Sequence, residues 1–260
     1  MRTFLSATEQ HEFTSAVRGR NFVLSVALPQ SYHSSDKRYP VVYVLDGDGL
    51  FGMVGSLTEV ATWTAEVPEV IAVCIGYGAD SYDEWGQLRQ RDLDLPTATP
   101  DGLPDDDRPQ PDVFLAALAD EIVPFVDRSY RTDPGDRCLY GYSSGGFFVL
   151  YALLQRSPVF HRYLSGGAFG YETMGYLLKE AERLKDSDHA QQPAHVFLGM
   201  SELEAPSCVA AMHEFVDILA TAGHGGFHFH SEVYPSERHN AAGIVLTYLH
   251  GLRAVFAGFD

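Results

Sequence analysis

Hydrophobic and polar positions along this chain fall into two periods. Short runs rich in Val, Ile, Tyr and Phe, the signature of strands, recur at about 9–17, 21–28, 40–46, 68–76, 136–142, 161–166, 193–199 and 226–233. Between most of them apolar residues return every three or four positions, which predicts amphipathic helices at 112–130, 144–156, 171–185, 207–222 and 241–257, and a less regular one at 50–64. Two opening strands followed by alternating strand and helix predict an α/β fold: a mainly parallel central sheet, an N-terminal antiparallel hairpin, and helices on both faces.

One stretch departs from both periods. Residues 78–111 include WGQLRQRDLDLPTATPDGLPDDDRPQP, rich in Pro and Asp, and read as a long irregular flap beside a functional site. A strand-and-helix pattern resumes directly after it, so it is not a linker, and one domain over 1–260 is expected.

Composition narrows the function. With 45% hydrophobic residues in 260, the chain can bury one large core. A net charge of −17 opposes nucleic acid, whose binding needs clustered Lys and Arg, and favours neutral or cationic small substrates. No run of about 18 apolar residues marks a membrane span, and MRTFLSATEQHEF lacks a secretory apolar core. The three cysteines, Cys74, Cys138 and Cys208, form no close pairs, so reduced thiols in a cytoplasm are expected.

The chemistry concentrates in DRCLYGYSSGGFFVLYALL, which reads as strand, then Gly141-Tyr142-Ser143-Ser144-Gly145, then helix. A serine on so sharp a turn is pushed out of the backbone, and flanking glycines leave room for the turn and the helix packed beside it. Ser143 has Gly at both i−2 and i+2, so it is the nucleophile candidate, and Ser144 becomes a backbone donor to an oxyanion. The base should follow in a loop after a late strand. Of eleven histidines, His239 in PSERHN fits that place. Eleven carboxylates lie between them; Glu202 and Glu204 leave the carboxyl end of the strand AHVFLGM, and Glu202, nearer the strand, is preferred as the acid. The second oxyanion donor is expected in VVYVLDGDGLF, at the N–H of Asp48, provided its carboxylate points away. His228 and His230 form an H-x-H pair, but without further ligands at fitting spacing they read as a solvated strand face, and no metal is expected.

YPVVYVLDGDGLF, RQRDLDLPT, LYGYSSGGFFVLYALL, FLGMSELE and YPSERHN together resemble the esterase D-like branch of the α/β-hydrolases, which includes trilactone siderophore esterases, feruloyl and acetyl-xylan esterases and mycolyl transferases. The likeness runs from about residue 8 to the end, and LDGDGLF with Arg91-Asp92 is most similar to the siderophore-esterase subset. The resemblance implies an α/β-hydrolase fold and a serine esterase without cofactor, with Ser143, His239 and Glu202 catalytic and Asp48 and Ser144 in the oxyanion hole. It implies Arg89 and Arg91 beside the substrate cleft, with pairing to Asp92, Asp94 or the acids at 105–107 as the alternative. Trp85 is either a pocket wall or a packed aromatic, and Tyr142 is a candidate substrate contact. The expected partner is a small-molecule ester or lactone, and the sequence is compatible with monomer or homo-oligomer. An acyltransferase using the same triad, and a non-catalytic binder on a hydrolase scaffold, are the rival readings.

Overall fold

A computed structural model of the protein describes residues 7–95, 108–155, 157–185, 193–221 and 226–257. Among these residues are eight strands, β1 (Thr8–Ser15), β2 (Arg20–Ala27), β3 (Tyr39–Val44), β4 (Ile71–Gly76), β5 (Thr132–Tyr142), β6 (Arg162–Gly166), β7 (Ala194–Ser201) and β8 (Phe227–Tyr234). They form one sheet in the order β1-β2-β4-β3-β5-β6-β7-β8. β1 pairs antiparallel with β2, and β2 with β4; the β3–β4, β6–β7 and β7–β8 ladders are parallel. The expected hairpin on a mostly parallel sheet is present. Contacts divide the chain into two compact units whose boundary falls inside β5, after Leu139.

The first unit carries α1 (Gly47–Trp63), α2 (Tyr82–Leu93), α3 (Pro111–Ala117) and α4 (Val123–Ser129). β4, IAVCIG, is buried at every position, as a central strand covered on both faces must be. β1, TEQHEFTS, is mostly exposed and charged, a composition that blunts a sheet edge against further pairing.

Two expectations are corrected here. The segment 78–111 is not irregular throughout, because Tyr82–Leu93 is a helix whose N-cap Ser81 accepts the Glu84 N–H at 3.1 Å. Its only buried residues are Asp92 and Leu93, so it carries no apolar stripe to reveal it. Residues 96–107 of that stretch lie outside the described residues. The helix expected over 112–130 is interrupted by a wider π turn, Leu118–Ile122. Pro124 follows at the start of α4, and a proline can neither donate to the carbonyl four residues back nor fit its ring beside it; widening the turn relieves both.

The second unit carries α5 (Ser144–Leu154), α6 (Met174–Lys185), α7 (Pro206–Ala220) and α8 (Ala241–Val255). α5 is buried from Gly145 to Leu154, which explains a sequence apolar on every side. Alternation along β8 places helices on opposite faces of the sheet. Phe229 meets Phe215 of α7, whereas Glu232 and Tyr234 meet His250 of α8. Among the described residues no helix is long and apolar enough to cross a membrane.

Candidate active site

The turn between β5 and α5 is shaped by the absence of side chains. A Cβ on Gly141 would collide with the Gly145 backbone, and one on Gly146 with the Gly166 carbonyl. With nothing in the way, α5 closes against the ends of β5 and β6, and the residue between must take the strain. Ser143 sits at φ 62°, ψ −125°, a region that ordinary L residues avoid. Its N–H is held by the Gly166 carbonyl at 2.8 Å, and its own carbonyl accepts from Phe147 N–H at 2.8 Å to open α5. Ser144 is the first residue of that helix, so its N–H belongs to the set that a helix leaves without an intrahelical acceptor.

The second half of this region lies after β8. His239 stands on the loop 235–240, and its Nδ1 is 3.2 Å from Glu204 Oε2. An ionised carboxylate only accepts hydrogen bonds, so the imidazole proton belongs on Nδ1 and the lone pair on Nε2. The ring packs on Tyr142, with centroids 4.9 Å apart, and over the α-carbon of Gly167. Gly167 has φ 57°, and a Cβ there would lie 2.7 Å from His239 Cε1 and 3.0 Å from Nδ1. The Gly-Gly turn after β6 thus serves both partners: Gly166 receives the Ser143 N–H and Gly167 clears space for the imidazole. The sequence displays this pair only as SGGAFG after a strand, a signal not used in predicting the site.

The two glutamates of SELE separate. Glu204 faces His239 with one oxygen and accepts Ser201 N–H with the other, at 3.2 Å. Glu202, preferred from sequence, accepts Ser236 N–H at 2.7 Å instead. The chain turns at 201–204, where Glu204 N–H donates to Ser201 O at 3.1 Å, and this brings the second carboxylate, not the first, to His239.

Tyr142 is 5% exposed, and it stands behind the imidazole. Burial, aided by the Glu204 and Glu237 carboxylates, pushes its hydroxyl pKa up, while contacts to the Ser201 side chain and the Asn240 backbone oppose the shift. It is therefore neutral across ordinary pH. Asn240 caps α8 by accepting the Ala242 and Gly243 N–H groups, which anchors the loop on its far side.

In the first unit, Asp48 is the second residue of α1, and its carboxylate accepts the Tyr77 and Gly78 N–H groups at 2.7 and 3.0 Å. Its negative charge is tied to the turn after β4. The Arg89 guanidinium grips Asp46, at 2.7 Å from Nε and 3.0 Å from Nη2, and lies 5.3 Å from the Trp85 ring. Asp94 adds an electrostatic contribution to the same guanidinium. Asp46 itself has φ 58°, just before α1. Trp85, with Tyr82, Gln87, Arg89 and Asp94, lines a surface hollow of about 540 Å³. The Arg91 carbonyl accepts Gln110 N–H at 2.7 Å, and the acids at 105–107 lie outside the described residues. Asp92 pairs instead with Arg18, at 2.6 Å.

His228 and His230 are exposed on β8, where His228 stacks on His195 and His230 on Phe197. Among the described residues no group of three or more His, Cys, Asp or Glu is placed to hold a metal.

Comparison with known proteins agrees with this fold. The chain is 26% identical over 208 residues to the ferri-bacillibactin esterase BesA of Bacillus subtilis, covering 77% of this chain and 72% of that one. The BES protein of Bacillus cereus superposes with a TM-score of 0.81 at 25% identity over 98% of both chains. Siderophore hydrolase EstB of Aspergillus nidulans shares the fold, with a TM-score of 0.83 at 19% identity over 100% of this chain and 98% of that one. The model of the "Putative esterase" family matches residues 15–173, more than half of the chain. A strained serine between strand and helix, on this sheet and with these relatives, places the chain in that family: it is an esterase of the α/β-hydrolase fold.

Proposed function

We propose that the protein is a serine carboxylic ester hydrolase in which Ser143 is the nucleophile, His239 the general base and Glu204 the acid that orients the base. The observation that carries this reading is the joint placement of the strained Ser143 and the His239–Glu204 pair by one turn, Gly166-Gly167. Ser143 Oγ attacks the ester carbonyl as His239 Nε2 takes its proton. The tetrahedral oxyanion is stabilised by the Ser144 N–H and, on the sequence argument, by that of Asp48. Collapse transfers the proton from His239 to the leaving alkoxide and frees the alcohol. Water, deprotonated by the same imidazole, then releases the acid from Ser143.

The side chain of His239 is 42% exposed, which supports water rather than a second alcohol as the acyl acceptor. The likeness to a ferri-bacillibactin esterase supports a siderophore-type ester or lactone as substrate. The buried cysteines Cys74, Cys138 and Cys208, none of them in a disulfide, support a reducing compartment such as the cytoplasm.

Hydrolysis of a p-nitrophenyl ester series and of a catecholate trilactone, by the wild-type chain and by Ser143→Ala, tests the reading. Turnover should vanish in the variant for every substrate. Turnover that survives there contradicts the mechanism, and an added alcohol captured in preference to water contradicts hydrolysis.

A further inference from the structure

Glu202 is left over once Glu204 is placed against His239, yet it is not idle. The loops after β7 and β8 are laced together beyond the last sheet pair, Ser201 with Tyr234. Glu202 N–H donates to Tyr234 O at 3.0 Å, Leu203 N–H to Glu237 O at 2.9 Å, and Ser236 N–H to Glu202 Oε2 at 2.7 Å. Like the Glu204–His239 bond, the last of these is made by a side chain. It lands on Ser236, a non-glycine residue at φ 61° that needs an external partner to hold its left-handed turn. Three residues on, His239 is exposed and so is not fixed by burial. Its position depends on how firmly the loop beneath it is held.

We propose that Glu202 is a positioning residue for catalysis: by holding the Ser236 N–H it fixes the loop that presents His239 to Ser143. The inference rests on the reading of Ser143 and His239 as nucleophile and base. It differs from the role sequence alone assigns to Glu202, because a positioning residue needs only an acceptor oxygen at the right reach, whereas a triad acid needs its charge. Gln keeps the oxygen, Asp keeps the charge but withdraws it by one methylene, and Ala removes both.

The experiment measures kcat, KM and the pH dependence of kcat for p-nitrophenyl butyrate, together with the rate of fluorophosphonate labelling, in Glu202→Gln, Glu202→Asp, Glu202→Ala and the wild type. Thermal melting of each accompanies the kinetics. Misplacing a base by a fraction of an ångström costs about 10-fold. The expected result is a kcat and labelling rate lowered by about that factor in Glu202→Ala and Glu202→Asp, with KM within about twofold. Glu202→Gln should stay within about threefold of wild type, and the midpoint of the acid limb should be unchanged throughout. Glu202→Ala and Glu202→Asp both indistinguishable from wild type overturn the proposal. So does Glu202→Gln as deficient as Glu202→Ala with a displaced acid limb, which would make Glu202 the triad acid. Ser143→Ala, run beside them, separates this failure from that of the parent reading: activity surviving there removes the nucleophile itself.

Discussion

The turn that carries Ser143 and the loop that carries His239 are built on opposite terms. The first is closed by sterics: Gly141 and Gly146 admit no Cβ, α5 behind them is fully buried, and the serine backbone has no alternative to its strained angles. The second is an exposed loop held by discrete hydrogen bonds to Glu202, Glu204 and the cap of Asn240. In the proposed roles the contrast makes sense: a nucleophile needs one geometry and can be locked by packing, whereas a base exchanges protons with water and substrate and can be aimed at the surface by polar contacts. The turn should therefore fail abruptly on substitution, and the loop by degrees.

The largest expected effect is chemical. His239→Ala should lower kcat by about 10⁴-fold or more in a protein that melts as the wild type does, read by ester hydrolysis and thermal unfolding. Next, Glu204→Gln should cost about 10²–10⁴-fold, because it removes the charge that stabilises the imidazolium and lets the tautomer reverse. A loss confined to threefold would place the acid elsewhere. Gly146→Ala sharpens the contrast, since its new methyl meets the Gly166 carbonyl: stability should fall by about 1–3 kcal/mol, measured by urea titration, with activity falling alongside. Tyr142→Phe keeps the ring behind His239 and loses only the hydroxyl, so a change of about threefold or less in kcat is expected, with a modest fall in melting temperature.

The last effect, on stability alone, comes from a pair that contrasts with His239–Glu204 in burial. Arg18 and Asp92 are 5% and 0% exposed, and burial, opposed by Arg18, raises the Asp92 pKa from 3.8 to about 6. The folded state thus holds this proton more tightly than the unfolded one. The stability linked to it is complete below the unfolded value and is lost as pH rises through about 6. Unfolding midpoints between pH 4 and 7 should show this slope in wild type, at most about 1.4 kcal/mol per pH unit, and a flatter one in Asp92→Asn. Equal slopes would refute it.

The contrast between turn and loop also explains what could be read from sequence. Strand and helix order was legible because buried strands and packed helices write their periods into apolar residues, and the elbow was legible because its geometry demands glycine at fixed offsets. Chain order singled out His239 as the proposed base. The choice between Glu202 and Glu204 was not legible: the two differ by the direction of a turn, and nothing in SELE encodes which carboxylate points back over the sheet. α2 escaped because its helical face is polar and its buried side is mainly Asp92, whose partner Arg18 lies 74 positions away. The Arg89–Asp46 pair is long-range in the same way: an ion pair for this arginine was an open alternative to a substrate contact, but its partner Asp46 lies 43 positions away and not among the carboxylates near it in sequence. Local patterns predict what neighbours in sequence decide, and polar pairings across the fold are decided elsewhere.

The claim on which the rest depends is that Ser143 forms the acyl-enzyme. Incubation with a fluorophosphonate ester, followed by proteolysis and mass spectrometry, should place one phosphonyl adduct on the peptide containing Ser143, with hydrolysis of p-nitrophenyl butyrate lost in proportion. Modification on any other residue with hydrolysis abolished, or hydrolysis that persists in fully modified protein, would contradict the account.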